Sequence, residues 1–589
     1  MSSPIQDAAS RWAELEPAFL AVHRGRLNVA LHLVATPLGF YATFAALAAL
    51  SPLLSVALLI AWAAALASRV RPDVRWAVLG FFLVLAGLAL WMPLGLLSAV
   101  VLAAAGYGLQ EAAHKITGEA SFQSGYMNDA GWARFLAEQT FFLPALVLQA
   151  ARQHDWLSMF VAHDRVVHTR LGPTHAGDID RLQSWVLGQK PAEDHTTHWW
   201  RLDLPATELA AFDRIRDADE IRQAFHRAYG DEFDVASVDG MNEVYVAGPD
   251  QNLTSDTVFH MSHVDGPIAV FPFASVYRCM VGISPNGRVA TKFPMTRSDY
   301  ERGRSIVLST GDVAGFDFHR ELHYIETDPE GPELGRRITL KLHYVVFPKY
   351  FRKWGELLGR LSTRYNITAR NVFLGTLTPD SLREKLGAAW VVATTKTFET
   401  IGRYAGNTNA AYVAVLALLN LVLGTPLPLL VGASFVHYLI YIATFRQRTE
   451  IAYGTFVRDA VFFKSVSMAQ LAFWYLYGFE GNVLSLLLVV GGFGLSAWAA
   501  RKLGWVRTYF GTELGQLATA NRVSGFPYGT IPHPMILGAI IGLIGVGCVP
   551  AIAERFPWLI PTHIAFYLIH ATQEALDRRA PAPYVYSED

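Results

Sequence analysis

The sequence predicts a multidomain membrane protein in which α-helical transmembrane hairpins at both ends flank a soluble, mainly β domain of jelly-roll type. Of the 589 residues, 52% are hydrophobic and 17% charged, whereas a soluble domain has roughly 25% charged residues. The apolar residues form two long blocks, and the chain between them shows alternating apolar positions and turn signals. We therefore expect helical membrane domains at residues 1–150 and 401–589 and a β-rich soluble domain at residues 151–400.

The apolar runs come in pairs that short turns join, such as Ser51-Pro52 and Thr425-Pro426. These two turns lack Lys and Arg, whereas basic residues such as Arg24 and Arg501 lie at the other ends of the hairpins. By the positive-inside rule, the basic ends face the cytoplasm. We place the protein in a bacterial inner membrane, with the soluble domain and the catalytic faces cytoplasmic. The runs lie near 29–50, 53–68, 76–91, 93–108, 409–424, 427–445, 458–478, 482–500, 535–555 and 559–576.

Charge and cysteine usage narrow the functional classes. The net charge of −1 gives no electrostatic reason to expect a nucleic-acid partner. Cys279 and Cys548 are the only cysteines, which excludes a disulfide framework and a cysteine-rich metal site. The expected partner is a membrane lipid substrate.

The middle block contains a pattern typical of a ferrous iron site. His263 and Asp265 form an H-x-D pair, and His323 follows a Gly-Asp turn further along the chain. Two imidazoles and one carboxylate can bind Fe(II) while leaving positions open. Arg337 on the following strand could bind a carboxylate in a bidentate manner. His319 is a rival for the distal position, and the alternative is that all these residues are ordinary polar residues of a β domain.

This pattern resembles that of the double-stranded β-helix iron/2-oxoglutarate oxygenases. The resemblance implies that His263, Asp265 and His323 bind Fe(II). It also implies that 2-oxoglutarate is a cofactor and that Arg337 binds its far carboxylate.

The N-terminal block carries a second set of histidines, in "HRGRLNVALH" and "QEAAHKITGE". The two segments resemble the H-x4-N-x3-H and Q-x3-H-x4-E elements of the Mpo1-like (DUF962) family. The resemblance implies an iron-dependent dioxygenase acting on fatty acids, with His23, His32 and His114 as metal ligands. The alternative is that these polar residues cap helices and tie hairpin ends together. The matching residues are His23, Asn28, His32, Gln110, His114 and Glu119.

The C-terminal block contains glycines in an apolar run, then "RVSGFPYGTIPHPMILG", then a final apolar run that ends in "HATQEALDRR". This order resembles the membrane phospholipid N-methyltransferases and the related isoprenylcysteine carboxyl methyltransferases. The resemblance implies S-adenosyl-L-methionine as cofactor, with His533 and Glu574 in catalytic roles. A proline-capped helix start with a surface histidine is the alternative. The residues implied to bind the cofactor are Gly492, Gly494, His533, Pro534, Gly538 and Glu574.

Together these patterns predict a lipid-modifying membrane enzyme that transfers a methyl group to a lipid, with a phospholipid amine headgroup favoured. The methyltransferase would be coupled to an iron-dependent oxygenase-like domain. One alternative is an iron-dependent lipid dioxygenase with the C-terminal block as membrane anchor. Another is a lipid-binding scaffold without catalytic activity.

Overall fold

The structure is a computed structural model, and its contacts divide the chain into two units. One comprises Met1–His154, Leu430–Glu450 and Phe463–Asp589, and the other comprises Asp155–Leu429 and Ile451–Phe462. The predicted domain boundaries at 150 and 400 stay predictions. The structure describes residues 19–69, 72–120, 146, 149, 166–193, 195–247, 261–294, 304–328, 330–332, 335–374, 381–447, 453–517, 523 and 525–575.

The N-terminal block is helical, as predicted. Its helices are α1 (Arg26–Leu50), α2 (Pro52–Arg69), α3 (Pro72–Trp91) and α4 (Leu96–Thr117). Helices α1 and α4 pack closely because Gly106 has no side chain. A Cβ at Gly106 would lie 3.1 Å from the carbonyl oxygen of Ala35. This contact aligns the two helices that carry His32 and His114.

The middle region contains two antiparallel sheets, so the predicted β-sheet region is confirmed. The chain alternates between them, because β5, β8 and β10 lie in the larger sheet and β6, β7 and β9 in the smaller one. The larger sheet has the order β1-β8-β5-β10-β4-β2, with β3 also paired to β10, and the smaller one has the order β7-β6-β9. The strands are β1 (Val166–Arg170), β2 (Thr197–Trp200), β3 (Phe233–Ser237), β4 (Glu243–Ala247), β5 (Ser275–Gly282), β6 (Val289–Phe293), β7 (Arg304–Val307), β8 (Asp312–Asp317), β9 (Tyr324–Thr327) and β10 (Arg337–Pro348).

Helices cover one face of the larger sheet, and this cover decides which side chains point inward. Helices α5 (Ala176–Gly188), α6 (Ala206–Arg216) and α7 (Asp219–Tyr229) share an apolar core with Ile338, Leu340 and Leu342 of β10. Because side chains alternate along a strand, the intervening residues point to the opposite face. Those residues are Arg337, Thr339, Lys341 and His343.

Two helices follow the sheets within the same unit, after α8 (Arg352–Leu374) has packed against β10 and β5. They are α9 (Leu382–Tyr404) and α10 (Asn407–Leu423), which meet at an angle of 91°. The capping box of Ser381 and Glu384 begins α9 by satisfying backbone donors that the helix leaves unpaired.

The C-terminal block is helical, again as predicted. Across the described residues, four helices are long and apolar enough to span a membrane: Leu27–Leu50, Leu96–Thr117, Leu427–Phe445 and Val483–Leu503. Counting α9 and α10 as one bent span gives a fifth. The C-terminal helices are α11 (Leu427–Ala433), α12 (Val436–Gln447), α13 (Tyr453–Gly478), α14 (Val483–Leu503), α15 (Trp505–Thr508), α16 (Pro534–Gly547), α17 (Pro550–Arg555) and α18 (Leu559–Ala575).

Candidate metal centres and the methyltransferase-like region

His263, Asp265 and His323 lie together in the β domain. Their potential ligand atoms are all within 4.8 Å of one another. An antiparallel bridge, with two backbone hydrogen bonds of 2.9 and 3.0 Å, holds His263 beside His323. Strand pairing therefore brings together two histidines that are 60 residues apart in sequence.

The two imidazoles are oriented by backbone carbonyls. Nδ1 of His263 lies 2.8 Å from the carbonyl oxygen of Met261, and Nδ1 of His323 lies 3.2 Å from that of Glu321. These contacts favour a proton on Nδ1 and leave each Nε2 with its lone pair. The Nε2 atoms lie 3.8 and 3.6 Å from oxygens of Asp265. Backbone carbonyls orient metal-binding histidines in the same way.

The electrostatics suit a cation. Burial lowers the pKa of His323 to about 3, so this imidazole is neutral at pH 7 and can act as a ligand. Burial alone would raise the pKa of Asp265, but the nearby charge of Arg278 holds it below its ordinary value. The site therefore offers a neutral nitrogen ligand in His323, an ionised carboxylate in Asp265 and a second imidazole in His263, which together form the donor set of a non-heme iron site.

Arg278 connects this centre to the rest of the interior, and sequence reasoning missed it. Its Nη1 lies 2.8 Å from Oδ2 of Asp265, and its Nε donates to Nε2 of His343 at 3.0 Å. Its Nη2 donates to Oδ1 of Asn366 on α8 at 3.2 Å. Arg278 has no signal in its own strand, but the alternation of Arg337, Lys341 and His343 with apolar residues in β10 indicates a polar face, which is unusual for a buried sheet.

Two buried cations, Lys341 and Arg370, form a cationic group beside the centre, which was not predicted from the sequence either. Glu243 is fully buried and pairs with both Lys341, at 3.6 Å, and Arg370. The ammonium of Lys341 also lies 3.4 Å from the ring centroid of Tyr245. Burial, followed by the charge of Arg370, holds the pKa of Lys341 well below its ordinary value. An additional anion would stabilise the charge of this lysine.

Arg337 is further along the same strand face. It lies six residues before His343, which corresponds to about 20 Å of extended strand, whereas Lys341 lies about 7 Å from His343.

His319 lies outside the cluster: its Nδ1 accepts a hydrogen bond from the backbone of Ile268 at 3.2 Å, and its Nε2 lies 2.7 Å from the hydroxyl of Ser362. Both of its ring nitrogens are therefore engaged elsewhere.

His23, His32 and His114 form a second cluster, at the ends of α1 and α4. Their ring centroids are 4.6 to 4.9 Å apart, and all three side chains are buried. Nδ1 of His23 lies 2.9 Å from the carbonyl oxygen of Phe19, and Nδ1 of His32 lies 3.0 Å from that of Asn28. Burial lowers the pKa of His23 to about 3, which keeps this imidazole neutral. The potential ligand atoms of the three side chains all lie within 4.8 Å of one another, so this cluster could hold a metal ion.

Glu119 and Asn28 hold this second cluster together. Oε1 of Glu119 accepts a hydrogen bond from the backbone N–H of Gly25 at 2.5 Å, and Oε2 accepts one from the amide of Asn28. The same amide nitrogen lies 3.3 Å from Nδ1 of His114. Gln110 instead contacts the hydroxyl of Thr36, at 3.2 Å. Five of the six residues in the predicted motif therefore meet.

Glu119→Ala should destabilise the N-terminal helices, because it removes the acceptor of the Gly25 N–H and one of the acceptors of the Asn28 amide. The loss of one such acceptor costs about 1–3 kcal/mol. Thermal unfolding in detergent, monitored by circular dichroism, measures the effect, with Lys115→Ala as an exposed control in the last turn of α4, four residues before Glu119. Equal melting temperatures for the two variants would contradict this role of Glu119.

In the C-terminal block, α14 and α16 are in backbone contact through glycines. A Cβ at Gly492 would lie 2.7 Å from the carbonyl oxygen of Gly538, and one at Gly538 would lie 2.7 Å from that of Gly492. Close packing thus accounts for these two glycines. A Cβ at Gly494 would have no atom within 4 Å. The predicted contacts of all three with a cofactor stay predictions.

His533 is exposed and immediately precedes α16, where Pro534 occupies the first helical position. Its backbone has φ 45° and ψ 54°, the left-handed region that a non-glycine residue rarely adopts. Such outliers cluster at functional sites. The hydroxyl of Tyr528 donates to the carbonyl oxygen of Ala499 at 3.1 Å, which ties the proline-rich loop to α14. Glu574 lies in the last turn of α18, and its side chain is outside the described residues.

Comparison with known families supports the C-terminal resemblance. No curated protein matches the chain significantly. Residues 481–575, which contain α14 to α18, match the model of the phospholipid methyltransferase family, so the C-terminal region is methyltransferase-like. This match and the apolar helices together identify the chain as an integral membrane protein.

Proposed function

We propose that this protein is an S-adenosyl-L-methionine-dependent methyltransferase whose acceptor is a membrane lipid, with a phospholipid amine headgroup favoured. The observation that carries the proposal is the match of residues 481–575 to the phospholipid methyltransferase family. Methyl transfer requires a nucleophile aligned with the sulfonium methyl group, so positioning is the main contribution of the protein. The rigid loop before α16 supports this role.

In this proposal, His533 and Glu574 hold the cofactor. A carboxylate such as Glu574 can accept charge-assisted hydrogen bonds from the amino group of the cofactor. His533, exposed in its left-handed conformation, can contact the carboxylate of the cofactor or orient the acceptor. S-adenosyl-L-methionine supplies the methyl group when bound.

His533→Ala and Glu574→Ala should each weaken S-adenosyl-L-methionine binding by about tenfold or more, since hydrogen bonds to charged groups contribute about 1.5–3 kcal/mol. Isothermal titration of the purified protein in detergent measures this affinity. Leu537→Ala, a change in a 40% exposed residue of α16, is the control. Unchanged affinity in both site variants would refute the assignment of these residues, and no binding by the intact protein would refute the function.

We infer a second activity, iron-dependent oxygenation by the β domain, coupled to methyl transfer in the same chain. Its support is the convergence of His263, Asp265 and His323 on one point. The alternation of the chain between two sheets supports the jelly-roll assignment. Fe(II) and 2-oxoglutarate would supply oxygen activation when bound. Lys341 lies nearer the centre than Arg337, the other cation on β10. Measuring 2-oxoglutarate binding by the Lys341→Met and Arg337→Met variants shows which of the two residues binds its carboxylate.

The Mpo1-like resemblance supports a further iron site at His23, His32 and His114. The orientation with the soluble domain and the catalytic faces in the cytoplasm, in a bacterial inner membrane, stays a proposal that rests on the basic hairpin ends.

A further inference from the structure

Helix α9 carries an exposed apolar stripe. Leu382, Leu386 and Trp390 are 75%, 62% and 70% exposed, and their spacing of four residues puts them on one side of the helix. Exposed basic residues lie on both sides of the stripe: Arg383 on one side, and Lys385, Lys396 and Arg403 on the other. An apolar stripe flanked by basic residues is the pattern of helices that lie in the plane of a membrane surface.

The bend after α9 gives the direction of this helix. Helix α10 leaves it at 91°, and the end of α10 exposes Leu421 and Val422 at 80% and 71%. The turn is made by Gly406, whose φ of +80° favours glycine. A buried contact holds the bend, because the amide of Asn409 donates to the carbonyl oxygen of Ala405 at 2.8 Å and to Oδ1 of Asp459 at 2.7 Å. If α10 enters the bilayer, α9 runs parallel to its surface.

The same bend contacts Leu322, a residue next to the metal centre of the β domain. Gly402, in the last turn of α9, packs against Leu322, and a Cβ at this glycine would lie 3.0 Å from Cδ1 of Leu322. Leu322 is buried and directly precedes His323. The end of α9 is therefore one residue away from a candidate iron ligand.

We propose that α9 is an in-plane membrane helix that holds the His263–Asp265–His323 centre at the lipid surface, so that the substrate of this centre is a membrane lipid. The placement follows from contacts within one unit of the chain, and the substrate class rests on the proposed oxygenase function. A centre at this depth receives its substrate from the bilayer, without transfer of the lipid into water.

Spin labels on α9 test the placement. The full chain, with Cys279→Ala and Cys548→Ala, is labelled at Leu386→Cys, Trp390→Cys or Lys396→Cys in nanodiscs of phosphatidylcholine and phosphatidylglycerol. Labels at 386 and 390 should collide with oxygen and be shielded from a water-soluble nickel complex, whereas the label at 396 should meet the nickel complex more often. Nickel access at all three positions, or equal shielding at 390 and 396, overturns the proposal.

A second measurement tests the position of the metal centre. In a His114→Ala background, Mn²⁺ bound at the β domain should broaden the signal of a lipid that carries a nitroxide on its headgroup. The broadening should disappear in the His114→Ala/His263→Ala variant. Mn²⁺ binding without broadening would refute the lipid-surface placement and leave the metal centre standing. Absence of Mn²⁺ binding would refute the proposed oxygenase and leave the spin-label result on α9 intact.

Discussion

His263→Ala is expected to abolish metal binding by the β domain while the N-terminal cluster still binds. The substitution removes one of three ligand side chains, and the loss of an outer partner alone costs about 10–100-fold in affinity. We therefore expect a loss of at least about 100-fold at this centre. Anaerobic titration with Fe(II) or Co(II), followed by metal analysis, should give two ions per chain in the wild type and one in the variant.

Matched variants separate the two centres. His114→Ala should remove the other ion, and the double variant should bind none with comparable affinity. His226→Ala, which changes a histidine that belongs to neither cluster, should bind as the wild type does. His319→Gln should also retain the ion, because the ring nitrogens of His319 contact Ile268 and Ser362. Wild-type stoichiometry and affinity in His263→Ala would disprove the iron site in the β domain.

Gly492→Ala should disrupt the contact between α14 and α16. Among glycine-to-alanine substitutions in the C-terminal block, we expect this one to cause the largest loss of stability. The added Cβ would meet the backbone of Gly538 and Gly542 rather than a flexible side chain. Forcing an extra carbon into a packed interface typically costs about 1–3 kcal/mol, and more where backbone must move. Thermal unfolding in detergent measures the loss of stability, and S-adenosyl-L-methionine titration measures its functional consequence.

Gly494→Ala is the matched control, two residues away on the same helix. Open space surrounds its Cβ position, and alanine in place of a helical glycine stabilises by roughly 0.5–1 kcal/mol. We expect equal or higher stability. Lost cofactor binding at full stability would show that Gly494 contacts the cofactor, as the family resemblance implies. Equal stability of the two alanine variants would contradict the packing role of Gly492.

Much of the architecture was predictable because membrane helices have a simple cause. A bilayer offers no hydrogen-bond partners, so long apolar runs become helices, and the runs near 29–50 and 482–500 are indeed helical. The division into helical ends and a β-sheet middle followed from composition in the same way. Helix α9 was not predicted, because its polar and apolar residues are mixed along the sequence. They separate onto two sides only when the segment is arranged as a helix with 3.6 residues per turn.

The candidate sites were predictable only as sets of residue types. The H-x-D pair and His323 could be proposed from spacing, but the choice between His323 and His319 depends on a strand bridge and on the partners of each ring. Arg278 carries no local signal, because its role comes from contacts with Asp265, His343 and Asn366, each distant in sequence. Similarly, Gly492 reads as a cofactor contact in sequence and packs against Gly538 in the structure.

The sequence by itself determined where the chain is apolar enough for membrane helices, where strands alternate, and which residues can bind metal or cofactor. These properties depend on composition and short-range periodicity, which any single segment carries. Only the tertiary structure decided which histidines meet, which charges Arg278 and Lys341 face, and that the end of α9 packs beside His323. Such contacts join residues far apart in the chain, and their free energy depends on the burial and geometry that folding creates.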